Sequence, residues 1–523
     1  MKKSFFSNFK YDGPAGLVVY LVALPLCLGI ALASTGRPDL LFSGIIAGMI
    51  GGIVVGGFSG SPLGVSGPAA GLVVIVLTAL KTLGSFEALL LAIMLAGVIQ
   101  LTAGYLKAGV IGYYFPSSVI KGMLAAIGIT LILKEIPHAL GYDKDFMGDE
   151  TDLVQMDGHN TFTEIYYAFI YNSPGAIIIC AVSLGLLILF EMPFMKKIAL
   201  FKFLPGALFV VLIGALLNYL FMQSVPQFVL SGEHLVQLPV ASNAEEFFGF
   251  FKFPDFSAIS NPQVYITAFT LAIVASLETL LCVEATDKLD PYKRTTPTNR
   301  ELKAQGIGNI VSGLIGGLPI TQVIVRSSAN IGAGGKTKLA TITHGTILLL
   351  SAILIPAYLN YIPLASLAAI LLMVGYKLSR VSLYRSMFKL GWEQFLPFIV
   401  TIIAILSSDL LKGIGVGMIV SIYFILRKSY KNSFHYTKVK DHSKETVTLT
   451  LAEEVTFLNK VSLNEALINL KDRSTVIIDG SKSKNIDYDV LEIIHDFKTH
   501  ASKLKHIHVE TINIPEVIQT AKH

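Results

Sequence analysis

The sequence predicts an α-helical integral membrane protein of fourteen spans, arranged as two sevens and followed by a small cytoplasmic α/β domain. Three observations carry that prediction. Of 523 residues, 53% are hydrophobic and only 15% charged, with a mean hydropathy of +0.64. A soluble globular chain averages about 25% charged. Apolar stretches long enough for ~30 Å of hydrocarbon recur along all but the last part of the chain. Basic residues alternate from loop to loop, as the positive-inside bias requires.

The expected span cores, in order, are 15–34, 41–57, 66–80, 87–105, 118–134, 174–191, 203–221, 263–283, 303–316, 326–333, 338–356, 364–376, 393–407 and 409–426. The polar start "MKKSFFSNFKYDG" runs into the first span without a small-residue cleavage site, so no cleaved signal is expected. Placing Lys2, Lys3 and Lys10 inside puts six further segments and the C-terminus inside. They carry Lys107, then Lys196, Lys197 and Lys202, then Lys288, Lys293, Arg294, Arg300 and Lys303. Lys336 and Lys338 follow, then Lys377, Arg380, Arg385 and Lys389, then Arg427, Lys428 and Lys431. Only the short segment after span 2 has no basic residue. The expected outside loops are acidic: 138–172 holds seven acids and one lysine, and 222–262 four acids and one lysine. An odd number of spans scrambles this pattern. The net charge of +5 calls for no nucleic-acid partner. Cys27, Cys180 and Cys282 all lie in apolar sequence, too scattered for a disulfide framework or a metal site. From Ser429 the chain turns charged. Strand-like runs ("ETVTLTLA", "STVIIDG", "HIHVETIN") alternate with helical ones ("SLNEALINLKD", "DVLEIIHDFKTH"), the pattern of an α/β domain. The boundary is expected in "RKSYKNSFHYTK", giving a membrane domain 1–428 and a cytoplasmic domain 435–523.

Two spans are broken. "VSGPAAGLVV" opens span 3, and "LPITQVIVRSSANIGAGG" surrounds span 10, the third span of the second seven. Matched interruptions of this kind mark a transporter binding site between inverted repeats. Non-helical backbone at membrane depth survives only under cover of protein or beside a water-filled cavity. A half-helix beginning there aims free N–H groups and its positive end into the cavity, so two facing ends make an anion site. Ser66 can cap, Gly67 lets a ligand approach the backbone, and Pro68 suits a first turn. Ala69 completes the motif. Arg326, beside Ser327 and Ser328, puts a charge at the start of the second half-helix, where a charge is costly. The blander alternative is a re-entrant hairpin with Arg326 snorkelling to the interface. Thr321 and Gln322 can line the cavity. Glu278 lies inside span 8, and Cys282 shares its helix face. A carboxylate there takes a proton or a cation, or is structural. Glu284 and Asp287 are expected at the interface, and Lys81, Lys134 and His344 near span ends in solvent.

"ALPLCLGIALASTG" at span 1, "LGVSGPAAG" at span 3, "IVRSSANIGAGGKTKLATITHG" over spans 10 and 11, and the α/β C-terminus together resemble the sulfate permease (SulP) family over essentially the whole chain. The resemblance implies inverted repeats of seven, with a core (spans 1–4 and 8–11) moving like an elevator against a gate (spans 5–7 and 12–14). It also implies a homodimer, a C-terminal STAS-like domain, and an anion held between the starts of spans 3 and 10. Arg326 and Ser66 to Ala69 match the family motifs. Leu26 and Ile30 stand where the span-1 motif has glutamine and an aromatic. Glu278 matches the acid of sodium-coupled bicarbonate members, implying possible Na⁺ near Glu278 and Cys282. Yet Cys282 replaces a hydroxyl, and Gln322 to Ile324 replace a small Gly-Ala-Thr run, so Na⁺ and H⁺ both stay open as coupling ions. Asp479-Gly480-Ser481 and Asp487-Tyr488-Asp489 echo the STAS switch loop, with Tyr488 at the usual serine.

The expected function is secondary active transport of a small inorganic oxyanion, sulfate or bicarbonate, across the inner (plasma) membrane, with both termini cytoplasmic. The alternatives are a dicarboxylate or nucleobase carrier of the same fold, and a passive anion channel. No hydrolase or metalloprotease motif suggests an enzyme, and no bound cofactor is expected beyond the coupling ion.

Overall fold

The computed structural model describes residues 8–144, 161–192, 206–241, 243–431, 434–441 and 444–516. Lys2, Lys3, Lys196, Lys197 and Lys202 lie outside them. The chain divides into two compact units, Met1–Met418 and Ile419–His523.

The first unit is helical. Its elements are α1 (Phe9–Thr35), α2 (Leu41–Ile50, continued as helix to Phe58), β1 (Ser66–Pro68), α3 (Val73–Leu83), α4 (Phe86–Tyr105), α5 (Ser117–Leu140) and α6 (Thr161–Ile170). There follow α7 (Pro174–Glu191), α8 (Gly206–Ser224), α9 (Pro262–Leu289), α10 (Thr298–Ile315), β2 (Ile320–Gln322), α11 (Ile324–Gly332) and α12 (Leu339–Leu354). The series ends with α13 (Leu364–Leu378), α14 (Val381–Lys389), α15 (Trp392–Ser407) and α16 (Leu410–Lys431), whose last residues belong to the second unit. Helix lies in each predicted stretch as far as it is described, although 66–80 opens as the strand β1; α6, α14 and short helices at Ala244–Gly249 and Pro356–Leu359 are additional. Among the described residues, eight helices are long and apolar enough to cross a membrane, and three shorter apolar ones accompany them.

Helices α10 and α11 fall outside both groups, α10 because it is too polar and α11 because it is too short. Their polar side chains face protein: Glu301, Gln305, Asn309 and Ser312 of α10 are all buried. A helix shielded by its neighbours can carry such residues where a lipid-facing one cannot. Shielding comes from close packing. A Cβ on Gly97 of α4 would stand 2.6 Å from the Gly306 carbonyl of α10, so only small residues let these backbones meet. Helix starts are fixed locally. Ser85 caps α4 by accepting the Ala88 N–H, and Asn261 caps α9 ahead of Pro262. Buried Asp12, in the first turn of α1, accepts the N–H groups of Lys336 and Thr337, tying α1 to the entry of α12.

One loop joint stands apart. Asp143, just past α5, accepts from His138 on one oxygen and His234 on the other, each at 2.6 Å. Burial alone would raise the Asp143 carboxyl, but the two histidines outweigh it and hold it below its ordinary value. The hydrogen bond to Asp143 raises His234.

The second unit carries a four-stranded sheet ordered β3 (Phe434–Asp441), β4 (Lys444–Leu451), β6 (Thr475–Asp479), β8 (His508–Ile512). The β3–β4 pair is antiparallel and the others parallel. β5 (Glu454–Val455) and β7 (Asn485–Ile486) form a separate parallel pair. Val447, Leu449, Val476 and Ile478 pack with Leu463, Leu467, Val490 and Ile494, which come from α17 (Lys460–Ile468) and α18 (Tyr488–Asp496). The expected strands and helices are present. β3 is new: it straddles the end of the expected boundary stretch, where no strand was expected because lysines interrupt the apolar alternation.

Candidate functional site

The two broken segments meet. β1 and β2 pair antiparallel, Ser66 opposite Gln322, Gly67 opposite Thr321 and Pro68 opposite Ile320. Both strands are fully buried. Ala69 is extended, a 3₁₀ turn follows at Ala70–Leu72, and α3 begins. On the other side, α11 begins two residues after β2. Each half-helix therefore starts at the strand pair, and the positive ends of both lie at one junction.

Arg326 is the largest fully buried side chain in the unit. Its guanidinium lies over Gly67 so closely that a Cβ there would overlap Nη1. Nη2 donates to the Pro68 carbonyl at 3.4 Å, while Nε and Nη1 meet no partner among the described residues. Snorkelling is excluded, since no part of the side chain reaches the surface. Ser327 stitches the junction together: its hydroxyl donates to the Val323 carbonyl at 2.7 Å and accepts from the Val65 N–H at 3.0 Å. Thr321 is buried, with its hydroxyl 3.5 Å from the Gln322 carbonyl.

Glu278 and Cys282 sit one turn apart on α9, both buried. The Glu278 carboxylate lies against Gly71 in the 3₁₀ turn that leads into α3. A Cβ there would be 3.0 Å from each oxygen, and Oε2 has no hydrogen-bond partner among the described residues. Cys282 lies by the Ile324 N–H at the start of α11. The structure thus brings all nine expected residues to one junction. Glu278 and Arg326 form no ion pair.

Sequence reading missed the shell that holds this junction. Gln305 Nε2 donates to Ser66 Oγ at 2.7 Å and to Glu301 Oε1 at 3.2 Å. Glu301 Oε2 accepts from the Ser59 hydroxyl at 2.6 Å and the Gly60 N–H at 3.3 Å. Asn309 grips the free edge of β2 at Ile320, donating to its carbonyl at 3.0 Å and accepting its N–H at 2.6 Å. Gln322 donates its backbone N–H to Thr279 and its side-chain amide to Thr286, both on α9. The signal was available: Glu301, Gln305 and Asn309 are four apart and line one face of α10. His344 corrects an expectation. It is fully buried in α12, not solvated, because α12 packs along α1 rather than ending at the surface. Lys134 is half-buried. Pro25 of the span-1 motif lines a cavity of ≈ 220 Å³ with Leu28, Leu32, Asp143 and Leu235.

The profile described as "Sulfate permease family" matches residues 9–403. YvdB of Bacillus subtilis (strain 168), provisionally assigned as a sulfate transporter, is 28% identical over 80% of this chain and 74% of its own. The bicarbonate transporter BicA of Picosynechococcus sp. is 26% identical over 86% of this chain and 76% of its own. The inward-facing structure of murine Solute Carrier 26 family member A9, an anion transporter, has the same fold. Its TM-score is 0.68, at 16% identity over 98% of this chain and 86% of that one.

Proposed function

Because the chain belongs to the sulfate permease family, we propose that it is a secondary active transporter of sulfate or bicarbonate that binds its anion where β1 and β2 cross. It is an anion transporter and not an enzyme, a multi-pass membrane protein whose C-terminal α/β unit is consistent with a STAS domain. In this reading fourteen spans form two inverted sevens. Residues 1–428 make the transporter and 435–523 the cytoplasmic domain, both termini face the cytoplasm, and the protein is a homodimer. Spans 1–4 and 8–11 carry the site past the remaining six.

One observation carries the site: a fully buried arginine with two unpartnered guanidinium nitrogens at the junction of two half-helix starts. Buried unpaired donors cost free energy, and an oxyanion satisfies them. Ser66 to Ala69 and Thr321 supply the strand backbones, Arg326 the charge, and Ser327 the rigid joint. Glu278, facing the turn that leads into α3, is the group that takes H⁺ or Na⁺. A cation there offsets the charge that the anion brings, which is a route to symport. The test is uptake of labelled sulfate and bicarbonate into proteoliposomes, with and without Na⁺ and pH gradients. Concentrative uptake of one anion that collapses with one gradient is expected. Equal, ungated flux of both would identify a channel.

A further inference from the structure

A serine hydroxyl has one hydrogen to donate and two lone pairs to offer. Which it presents to a ligand depends on its other partner. For Ser66 that partner is the Gln305 amide, and Gln305 is in turn bonded to Glu301. The Ser59 hydroxyl and the Gly60 N–H both donate to Glu301 and favour its ionised form; an ionised carboxylate only accepts, so the end of the Gln305 amide facing Glu301 is its NH₂ group. The same NH₂ donates to Ser66. The Ser66 hydrogen therefore points elsewhere, and its hydroxyl donates to nothing among the described residues. Gln305 Oε1, turned the other way, is buried and meets no donor. Only the carboxylate holds the amide in this orientation: turned over, Oε1 would face Glu301 Oε1.

We propose that Glu301 is a positioning residue that sets the polarity of the anion site: acting through Gln305, it makes Ser66 a hydrogen-bond donor. An oxyanion offers mainly lone pairs, so this is the sense it needs. The proposal rests on the reading of the β1–β2 junction as the anion site.

Glu301→Gln reverses the chain without changing its shape. The Oε2 position must remain an acceptor, because the Gly60 N–H donates to it and cannot turn away. The new amide oxygen takes that place, and its NH₂ faces Gln305. Gln305 answers with Oε1. Ser66 then donates to Gln305 and has no hydrogen left for the anion.

The experiment measures KM for sulfate and bicarbonate uptake by the full chain in proteoliposomes, for Ser66→Ala, Glu301→Gln and the double variant. Each single change is expected to raise KM about ten- to hundred-fold, the worth of one hydrogen bond to a charged group. The double variant should be no worse than Ser66→Ala alone, since both remove the same donor. Additive effects, with a lowered melting temperature, would mean that Glu301 only supports the fold. Wild-type KM in Glu301→Gln, with Ser66→Ala weakened, overturns the relay but leaves the site. Wild-type KM in Ser66→Ala overturns both. If Glu301→Gln does not fold, Gln305→Glu makes the reversal from the other end. Ionised, or with a shared proton held against Glu301, it presents only acceptors to Ser66, and the same KM rise is expected. An unchanged KM there overturns the proposal.

Discussion

Arg326 and Glu278 are both buried without a charged partner among the described residues, and that shared condition defines what each can be asked to do. Arg326→Ala is expected to weaken anion uptake by at least tenfold, since hydrogen bonds to charged groups contribute about 1.5–3 kcal/mol, while the protein still inserts and folds. Uptake kinetics and gel filtration of the purified variant check this together, and normal kinetics would remove Arg326 from the site. Glu278→Gln should leave anion exchange measurable but abolish accumulation driven by Na⁺ or H⁺. A variant that still concentrates anion to the wild-type level makes Glu278 structural. Both residues were legible in the sequence, because a charge in an apolar run stands out. Glu301, Gln305 and Asn309 shared a helix face that could be read from their spacing, but α10 is polar enough to pass as a weak span, and nothing local said what that face meets. A buried polar helix betrays itself only through what packs around it. His344 misled for the same reason: burial is a property of the neighbours.

At the scale of elements, the strand pair was only half legible. Pro68 and the glycines announced a break, but nothing local says that two three-residue strands some 250 residues apart pair with each other. The Asn309 grip on β2 is the element-level test. Asn309→Leu orphans the Ile320 N–H and carbonyl, which should cost about 1–3 kcal/mol for each buried group left unpaired. A fall in melting temperature with raised KM is expected; wild-type stability would show that β2 needs no lateral support. The histidine joint at Asp143 makes a pH prediction. The His234 pKa is raised, so its contribution is complete below about pH 6.5 and lost as pH rises through its folded value. The Asp143 pKa is lowered, so its contribution is complete above about pH 4 and lost as pH falls through its folded value. Amides at 141–144 and 232–236 should be most protected from exchange, relative to their intrinsic rates, between those limits and lose protection as pH rises through the raised His234 value. His234→Gln should erase the alkaline loosening, and a pH-independent profile in the wild type would remove the joint's role.

For the whole molecule, loop charge and composition reached the membrane class, and the alternation after Ser429 reached the α/β unit. The boundary was less clear, because α16 runs as unbroken helix to Lys431 and carries no local sign of where one unit ends. All proposed ligands precede Ala329. Removing residues 435–523 is therefore expected to leave a membrane unit that binds anion with near wild-type Kd, measurable in detergent by thermal shift against sulfate. A stable truncation that binds neither sulfate nor bicarbonate would place part of the site in the C-terminal unit.

The β1–β2 pairing also has an electrical consequence. Arg326 is held to the backbone of the opposite half-helix at Pro68, so its guanidinium cannot stay behind when the junction is displaced. Any travel of that junction across the membrane field carries a fixed positive charge, worth about 2.3 kcal/mol per 100 mV for a full crossing. Glu278 lies against the same junction, so an empty carrier with that carboxylate ionised would be nearly blind to voltage. Loaded with a cation and an anion of one negative charge it would stay so, while a doubly charged anion would leave one net negative charge and make membrane potential act chiefly on the loaded half of the cycle.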